Sequence, residues 1–584
     1  MRPWLLLAAV VLVTGIVLTA QAPVADPVLQ AMHDEMERSR KLMVSNPETP
    51  YFVEYLLDEA DTFDVAATLG GVVTRRRDQF RNLTVHVRVG DPKFDNTNYI
   101  GSSFPFGTRY DLERFPLDND YMVLRRYLWL ATDSSYKSAV EAISRKRAAL
   151  RNLSLNDQLN DFAHAEPVRF VADFRKLTLD EKAWTDRVRT LSAIFARFPE
   201  IRTSGVELDA GEGGYYLLNS EGTEVRVPDG LTYLRARASA QAPDGMTVRD
   251  WAMFHALTAA GMADEVEMSR ALRSLAENVV ALAHAPKGDD YSGPVLFEGV
   301  AGAQILAEVL AKNLTLPRRP VVEPGRNTAF LASELEGRMG ARVLPDSFEV
   351  VDDPTLKQWH GHTLFGSYEV DREGVVPKPL HLVEKGLLKG YLLTRQPVRG
   401  HEGSNGRARL PGNYGASASG VSNLVVTSSH TMPVSALKKN LLEMIAARTK
   451  PYGIIVRKMD FPSSASVEEA RRLLSGEPSG ASRPVSLPIL VYRVFPDGRE
   501  ELVRGLRFRG LNARSLRDVV AAGDDAAEFD FLDNQAPFDL MGGAGYVSNA
   551  SVVAPSLLID DLELHPLEDE LPKLPVVPAP ELSQ

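Results

Sequence analysis

The chain contains no cysteine among its 584 residues, so disulfides, thiolate nucleophiles and thiolate metal ligands are excluded from its chemistry. It also lacks a basic excess: 66 Lys and Arg stand against 77 Asp and Glu, a net charge of −11. Basic clusters such as Arg75–Arg77 and Arg318–Arg319 are short, and the electrostatic footprint of a nucleic-acid binder is missing. No G-x-S-x-G elbow, phosphate loop or H-E-x-x-H zinc motif occurs. Beyond the N-terminus, no apolar run approaches the length of a membrane span.

What is present begins with an apolar stretch from Trp4 to Ala20, preceded by Arg2 and followed by Ala20-Gln21-Ala22. One charge, an apolar run and an A-x-A site form the pattern of a signal peptide, residues 1–22. The alternative is an uncleaved anchor, since the run is near the ~17-residue lower limit for crossing a bilayer. Both readings place the body outside the cytoplasm, periplasmic or extracellular, and only the second keeps it at a membrane.

Single cores stop growing at ~250–300 residues, so this length predicts two or three domains. The 44% apolar and 24% charged fractions are those of a soluble globular protein. Asp26 caps an expected helix ending near Met43, and alternating aliphatics from Val65 to Gly90 read as strands. Tyr121–Leu153 and Leu179–Phe198 read as helices. Residues 206–237 read as short strands with Gly-rich turns, including a hairpin loop at GEGG, 211–214. Met268, Leu272, Leu275, Val279 and Leu282 repeat at helical spacing and share one face. The expected division is an α+β region over 23–319, a strand-rich domain over 320–565, and an acidic, Pro-rich disordered tail over 566–584.

Two features could carry chemistry. In VLFEGVAGAQILAEVL, residues 295–310, Glu298 sits where a buried strand runs into a helix, as a catalytic base, a helix cap or a remnant of a site. His360 and His362 in WHGHT, with His381 and His401 downstream, are raw material for a metal. Imidazoles two apart in an extended segment project to one side, although loop histidines without a metal fit equally.

GPVLFEGVAGAQILAEVL, VVDDPTL, GSYEVDREGVVPKPLHLVEKGLLKGYLLTR, the NGRAR loop at 405–409, YGIIVRK and PSLLIDDLEL occur in that order, a succession that resembles the TldD/PmbA (TldE) family. The resemblance implies an α+β fold: an N-terminal α/β domain, then a barrel-like, hairpin-built C-terminal domain with packed helices. It also implies a degenerate metalloprotease helix over 297–313. TldD-type members carry H-E-x-x-x-H where this chain reads Phe297-Glu298-Gly299-Val300-Ala301-Gly302. The histidines would bind zinc and the glutamate would polarise the attacking water. A third ligand, a cysteine, falls at approximately Met541.

Catalytic zinc takes three protein ligands and an open water position, and phenylalanine and glycine donate nothing. A methionine thioether suits copper rather than zinc. Without a metal, Glu298 is expected to cap the helix N-terminus, worth ~0.3–1 kcal/mol. TldE-type members lack the zinc motif and pair with TldD-type subunits around a chamber that degrades small or unfolded peptides. The resemblance therefore implies an exported, non-catalytic partner subunit or peptide-binding scaffold without cofactor. Its partner would be another TldD/TldE-type subunit or a second copy. Two alternatives stay open: an active metallopeptidase with zinc relocated to Glu298 and some of His360, His362, His381 and His401, or an interaction protein that keeps only the fold.

Overall fold

Two very long strands organise the N-terminal half. β1 (Pro50–Thr68) and β2 (Gly71–Asp91) pair antiparallel outward from Thr68 and Gly71. The turn between them, Leu69 and Gly70, has φ of 47° and 86°, the positive values that a two-residue hairpin demands at both positions. β3 (Ile201–Asn219), β4 (Glu224–Gln241) and β5 (Thr247–Ala256) extend the sheet in the order β2-β1-β3-β4-β5, with short strands at its edges. The computed structural model describes residues 26–40, 48–100, 115–151, 159–323, 330, 332–411, 417–460, 485–533 and 548–567. The expected signal peptide, Met541 and most of the expected tail lie outside these residues.

Side-chain alternation divides this sheet into two unlike faces. One face, with Tyr55, Leu57, Phe63 and Val65 of β1 and Leu208, Tyr216 and Leu218 of β3, is buried. It is covered at one end by α1 (Pro27–Arg40) and α2 (Tyr121–Leu150), and at the other by α3 (Glu181–Ser192) and α4 (Glu265–His284). Asp26 caps α1 as expected, accepting from the amides of Val28 and Leu29. The five apolar positions read on α4 are all buried. On the opposite face Leu56, Tyr215, Leu217, Val225 and Val227 meet Val370, from a loop of the C-terminal half.

GEGG is not a hairpin loop. It lies inside β3, where the partner strands approach too closely for a side chain at its last two glycines: a Cβ on Gly213 would stand 1.9 Å from the Glu59 carbonyl oxygen and one on Gly214 2.1 Å from that of Val227. The expected short strands of 206–237 are accordingly two long ones.

Among the described residues the C-terminal half holds two further large sheets, with two-stranded pairings beside them. β6 (Tyr291–Phe297) lies inside an eight-stranded sheet, and β7 (Phe348–Asp352), β8 (Leu380–Glu384) and β9 (Asn423–Ser428) belong to a six-stranded one. β10 (Gly453–Met459) and β11 (Pro488–Val494) continue the larger sheet. β12 (Ala527–Asp533) and β13 (Ser548–Ala554) complete the smaller, and β14 (Leu557–Pro566) returns to the larger beside β6. Among the described residues neither sheet closes, so the barrel-like expectation is corrected to two open sheets. The expected boundary near residue 320 falls after β6, which is central to the larger C-terminal sheet, and one hydrophobic core runs through both halves.

α5 (Val300–Leu306) follows β6, continues through a π-helical turn at Ala307–Ala311, and packs against strands of both sheets. α6 (Val434–Ala447) covers the other face of the larger sheet, where Leu437, Leu441 and Ile445 meet Leu296, Ile455 and Leu558. Within the expected strand-rich domain, β8 pairs antiparallel with β7 and turns back on itself at Lys385 and Gly386, where φ is 48° and 71°. Much of 366–395 beyond these pairs is loop, braced by buried arginines such as Arg395 and Arg407.

Candidate functional site

The strand-to-helix junction at Glu298 is built by three neighbours. Phe297 ends β6, paired with Val456 on one side and Leu557 on the other, so its side chain enters the core at 0% exposure, 5.7 Å from the ring of Phe508. The Glu298 amide continues the pairing by donating to the Val456 carbonyl at 2.9 Å. Gly299 then turns the chain with φ 60° and ψ −127°, a conformation suited to glycine, and its amide donates to Ser556 Oγ at 2.7 Å. Ser556 Oγ in turn donates to Asp525 Oδ2 at 2.6 Å. The helix begins at Val300, not at 297.

Glu298 does not cap that helix; its N-cap residue is Gly299, without a side-chain cap. The Glu298 carboxylate points instead to β10, where Arg457 Nε donates to Oε2 at 2.9 Å. Arg457 also binds Glu500 at 2.9 Å, stacks on Tyr492 at 4.5 Å, and shares Glu500 with Lys438 of α6. Burial works to raise the pKa of Glu500, but hydrogen bonds from Lys438 and Arg457 outweigh it and hold the carboxyl below its ordinary range.

Gly302 faces the segment between β13 and β14. A Cβ there would stand 2.3 Å from the Pro555 carbonyl oxygen and 3.4 Å from Ser556 Cα. Glycine lets the helix rest on this backbone, and a larger side chain has no room.

The histidines are dispersed over other surroundings. His360, at φ 45°, stacks on Trp359 at 4.8 Å, and His362 pairs with Trp359 in an exposed hairpin. His381 is exposed on β8, and His401 packs edge-on against Tyr391 at 5.3 Å. Among the described residues no group of three His, Asp or Glu side chains is placed to hold a metal ion, so His360, His362 and His401 do not join Glu298 as a metal site.

Residues 291–565 match the family model described as the PmbA/TldA metallopeptidase C-terminal domain. This C-terminal portion is a domain of the TldD/PmbA family. The chain's fold is similar to that of TldE from Thermococcus kodakarensis, with a TM-score of 0.54 at 11% identity over 92% of this chain and all of that one. Among curated relatives, a metalloprotease of Archaeoglobus fulgidus is 36% identical over 81 residues, 14% of this chain and 18% of that one. An uncharacterized protein of Methanocaldococcus jannaschii is 26% identical over 249 residues, 42% of this chain. The chain spans less than a fifth of the first and 53% of the second.

At the positions where TldD-type members carry zinc-binding histidines, this chain has a core phenylalanine and a glycine pressed against a carbonyl. The carboxylate between them is engaged by Arg457. The residues present do not fit the family's zinc.

Titratable groups outside any sequence motif lie elsewhere. Glu308, in the π-helical turn, has its pKa raised to about 7 by burial, against hydrogen bonds from Ser486. Asp64, Asp209, Tyr233 and His255 stand in register across β1, β3, β4 and β5. Burial, and then a hydrogen bond with Asp64, raise Asp209 to about 7, and burial holds His255 down to about 4. Glu308 occurs within a helical apolar pattern, and the row depends on pairing between distant strands; neither has a local sequence signature.

Proposed function

We propose that this chain is an exported, non-catalytic TldD/TldE-like protein that serves the proteolysis of small or unfolded peptides as a peptide-binding scaffold or as the partner of another family subunit or of a second copy of itself. The packing at the positions matching the family's zinc ligands supports this reading most directly. Phe297 supplies no donor, Gly302 has no space for one, and Glu298 is paired with Arg457. A water beside Glu298 would therefore meet neither a Lewis acid nor a free base from the family's motif. The proposed export rests on the N-terminal charge, apolar run and A-x-A pattern. Peptide binding suits a fold rich in strands, whose edges offer main-chain hydrogen bonds to an extended chain.

The test is elemental analysis of the mature protein purified without chelators, with peptide binding and cleavage measured alone and with a zinc-bearing TldD-type subunit. The expected result is substoichiometric metal, no cleavage by the chain alone, and binding of peptide, partner or both. Stoichiometric zinc with chelator-sensitive cleavage would establish a metal site elsewhere in the chain. Absence of binding to peptides and to family subunits would overturn the proposal.

A further inference from the structure

A cleft of about 300 Å³ lies between the second face of the N-terminal sheet and the C-terminal loops over 357–372. That volume is at the small end of the range for ligand sites. It is separate from the Glu298 junction: Ser548 lines the cleft at one end of β13, and Pro555 and Ser556 meet the junction beyond the other, about 20 Å away at ~3.3 Å per residue.

The cleft has two kinds of wall. Phe170, Tyr215, Val227, Leu257 and Phe365 provide apolar and aromatic surface. Arg409, a residue only 8% exposed, provides a guanidinium. Its Nε donates to Ser548 Oγ at 2.8 Å, one terminal nitrogen to the Gly366 carbonyl at 3.2 Å, and the other to the Asn549 carbonyl. It stacks on Tyr368 at 4.2 Å. All these acceptors are uncharged, and no carboxylate pairs with Arg409 among the described residues. A guanidinium has five N–H donors and these bonds use three, leaving one on each terminal nitrogen, the fork that grips a carboxylate.

The other charges on the cleft are already engaged. Arg372 grips Asp58 through both terminal nitrogens at 2.6 and 2.7 Å, and Arg175 binds Glu212 at 2.8 Å. Lys357 pairs with Glu369 at the exposed rim. The Asp371 carboxylate accepts from the amides of Glu373, Val375 and Ala408, which shape the loop. Asp229 accepts from the amide of Gly230. Arg409 is thus the buried cation of the cleft without a paired carboxylate among the described residues, an arrangement that is costly until an anion completes it.

We propose that this cleft binds an organic carboxylate carrying an apolar or aromatic side group, with the C-terminal residue of a short peptide as its natural source. Arg409 takes the carboxylate, and the side group lies among Tyr215, Phe365 and Leu257. Only the source of the carboxylate rests on the peptide-binding reading above.

The test is calorimetric titration of the full mature chain with N-acetyl-phenylalanine and its amide, and with Ala-Ala-Phe as free acid and as amide. Wild type is compared with Arg409→Lys and with Leu257→Trp, which fills the cleft from a partly exposed position without removing a hydrogen bond. Both acids are expected to bind about tenfold or more tightly than their amides, with binding weakened by a similar factor in Leu257→Trp. N-acetyl-phenylalanine binding without tripeptide binding would assign the cleft to a free small carboxylate, upholding the site and removing the peptide source. Tripeptide binding indifferent to amidation and to Leu257→Trp would overturn the cleft while leaving peptide binding intact. No binding of either acid to folded wild-type protein would overturn the cleft outright.

Discussion

Arg457 donates from Nε to Glu298 Oε2 at 2.9 Å, tying the carboxylate after β6 to the neighbouring strand β10. The pair is partly open to solvent, with the Glu298 side chain 24% exposed and that of Arg457 30%. Ion pairs in such settings contribute ~0.2–1 kcal/mol. Glu298→Gln is expected to shift stability by no more than this and to leave peptide binding unchanged, as read from urea midpoints and titration. A large loss of binding with an unchanged midpoint would restore a functional role to Glu298.

Restoring the family's histidines is expected to damage the fold before it creates a zinc site. Gly302→Ala already places a methyl group 2.3 Å from the Pro555 carbonyl oxygen, and the segment must shift to admit it. Overpacking of this kind costs ~1–3 kcal/mol. Phe297→His also sets an imidazole in the core beside Phe508, where a polar group lacks its solvent. Thermal unfolding should show a lowered transition for Gly302→Ala and a lower one for the double variant Phe297→His/Gly302→His. Elemental analysis should show no stoichiometric zinc in the double variant.

What the sequence reveals follows interaction range. The α4 apolar spacing and the Asp26 cap are local signals, and both elements form where those signals place them. The succession of motifs from residue 293 onward identifies the family without identifying the contacts at its centre. Glu298 reads as a cap because a carboxylate stands next to a helix start, yet its partner is 159 residues away on a parallel strand. GEGG reads as a turn by composition, whereas Gly213 and Gly214 answer the approach of Glu59 and Val227 on the neighbouring strands. Likewise, Arg409 belongs to a recognisable NGRAR segment, but its uncharged hydrogen-bond acceptors come together only after β13 and the 357–372 loops assemble.

The same NGRAR segment contributes a structural ion pair. Arg407 and Asp352 are both fully buried, joined at 2.6 Å, and Arg407 also donates to the carbonyls of Asn405 and Lys378. Asp352 also accepts from the Ser422 amide at 2.7 Å. Removing one member strands the other charge in the core, which costs ~3–5 kcal/mol. Asp352→Ala is expected to show a loss of this size in denaturant unfolding, with earlier proteolysis around residues 405–409. Asp352→Asn, which keeps the polar contacts, should lose less.

Glu308 gives stability a pH dependence of defined sign. Burial raises its pKa from 4.5 to about 7, and its Oε1 is buried without a hydrogen-bond partner. Between those two values the folded chain retains a proton that the unfolded chain releases. Stability therefore falls as pH rises through this window and levels off above it. Glu308→Gln removes the ionisation while preserving size and the acceptor for the Ser486 amide. It should unfold at higher temperature than wild type near pH 8, with the difference shrinking toward pH 4. Asp209 and Asp530, raised mainly by burial to about 7 and about 8, leave a residual slope of the same sign in the variant. Parallel melting curves for wild type and Glu308→Gln across that range would show that Glu308 ionises in the folded chain as readily as in water, against the burial that the π-helical turn imposes.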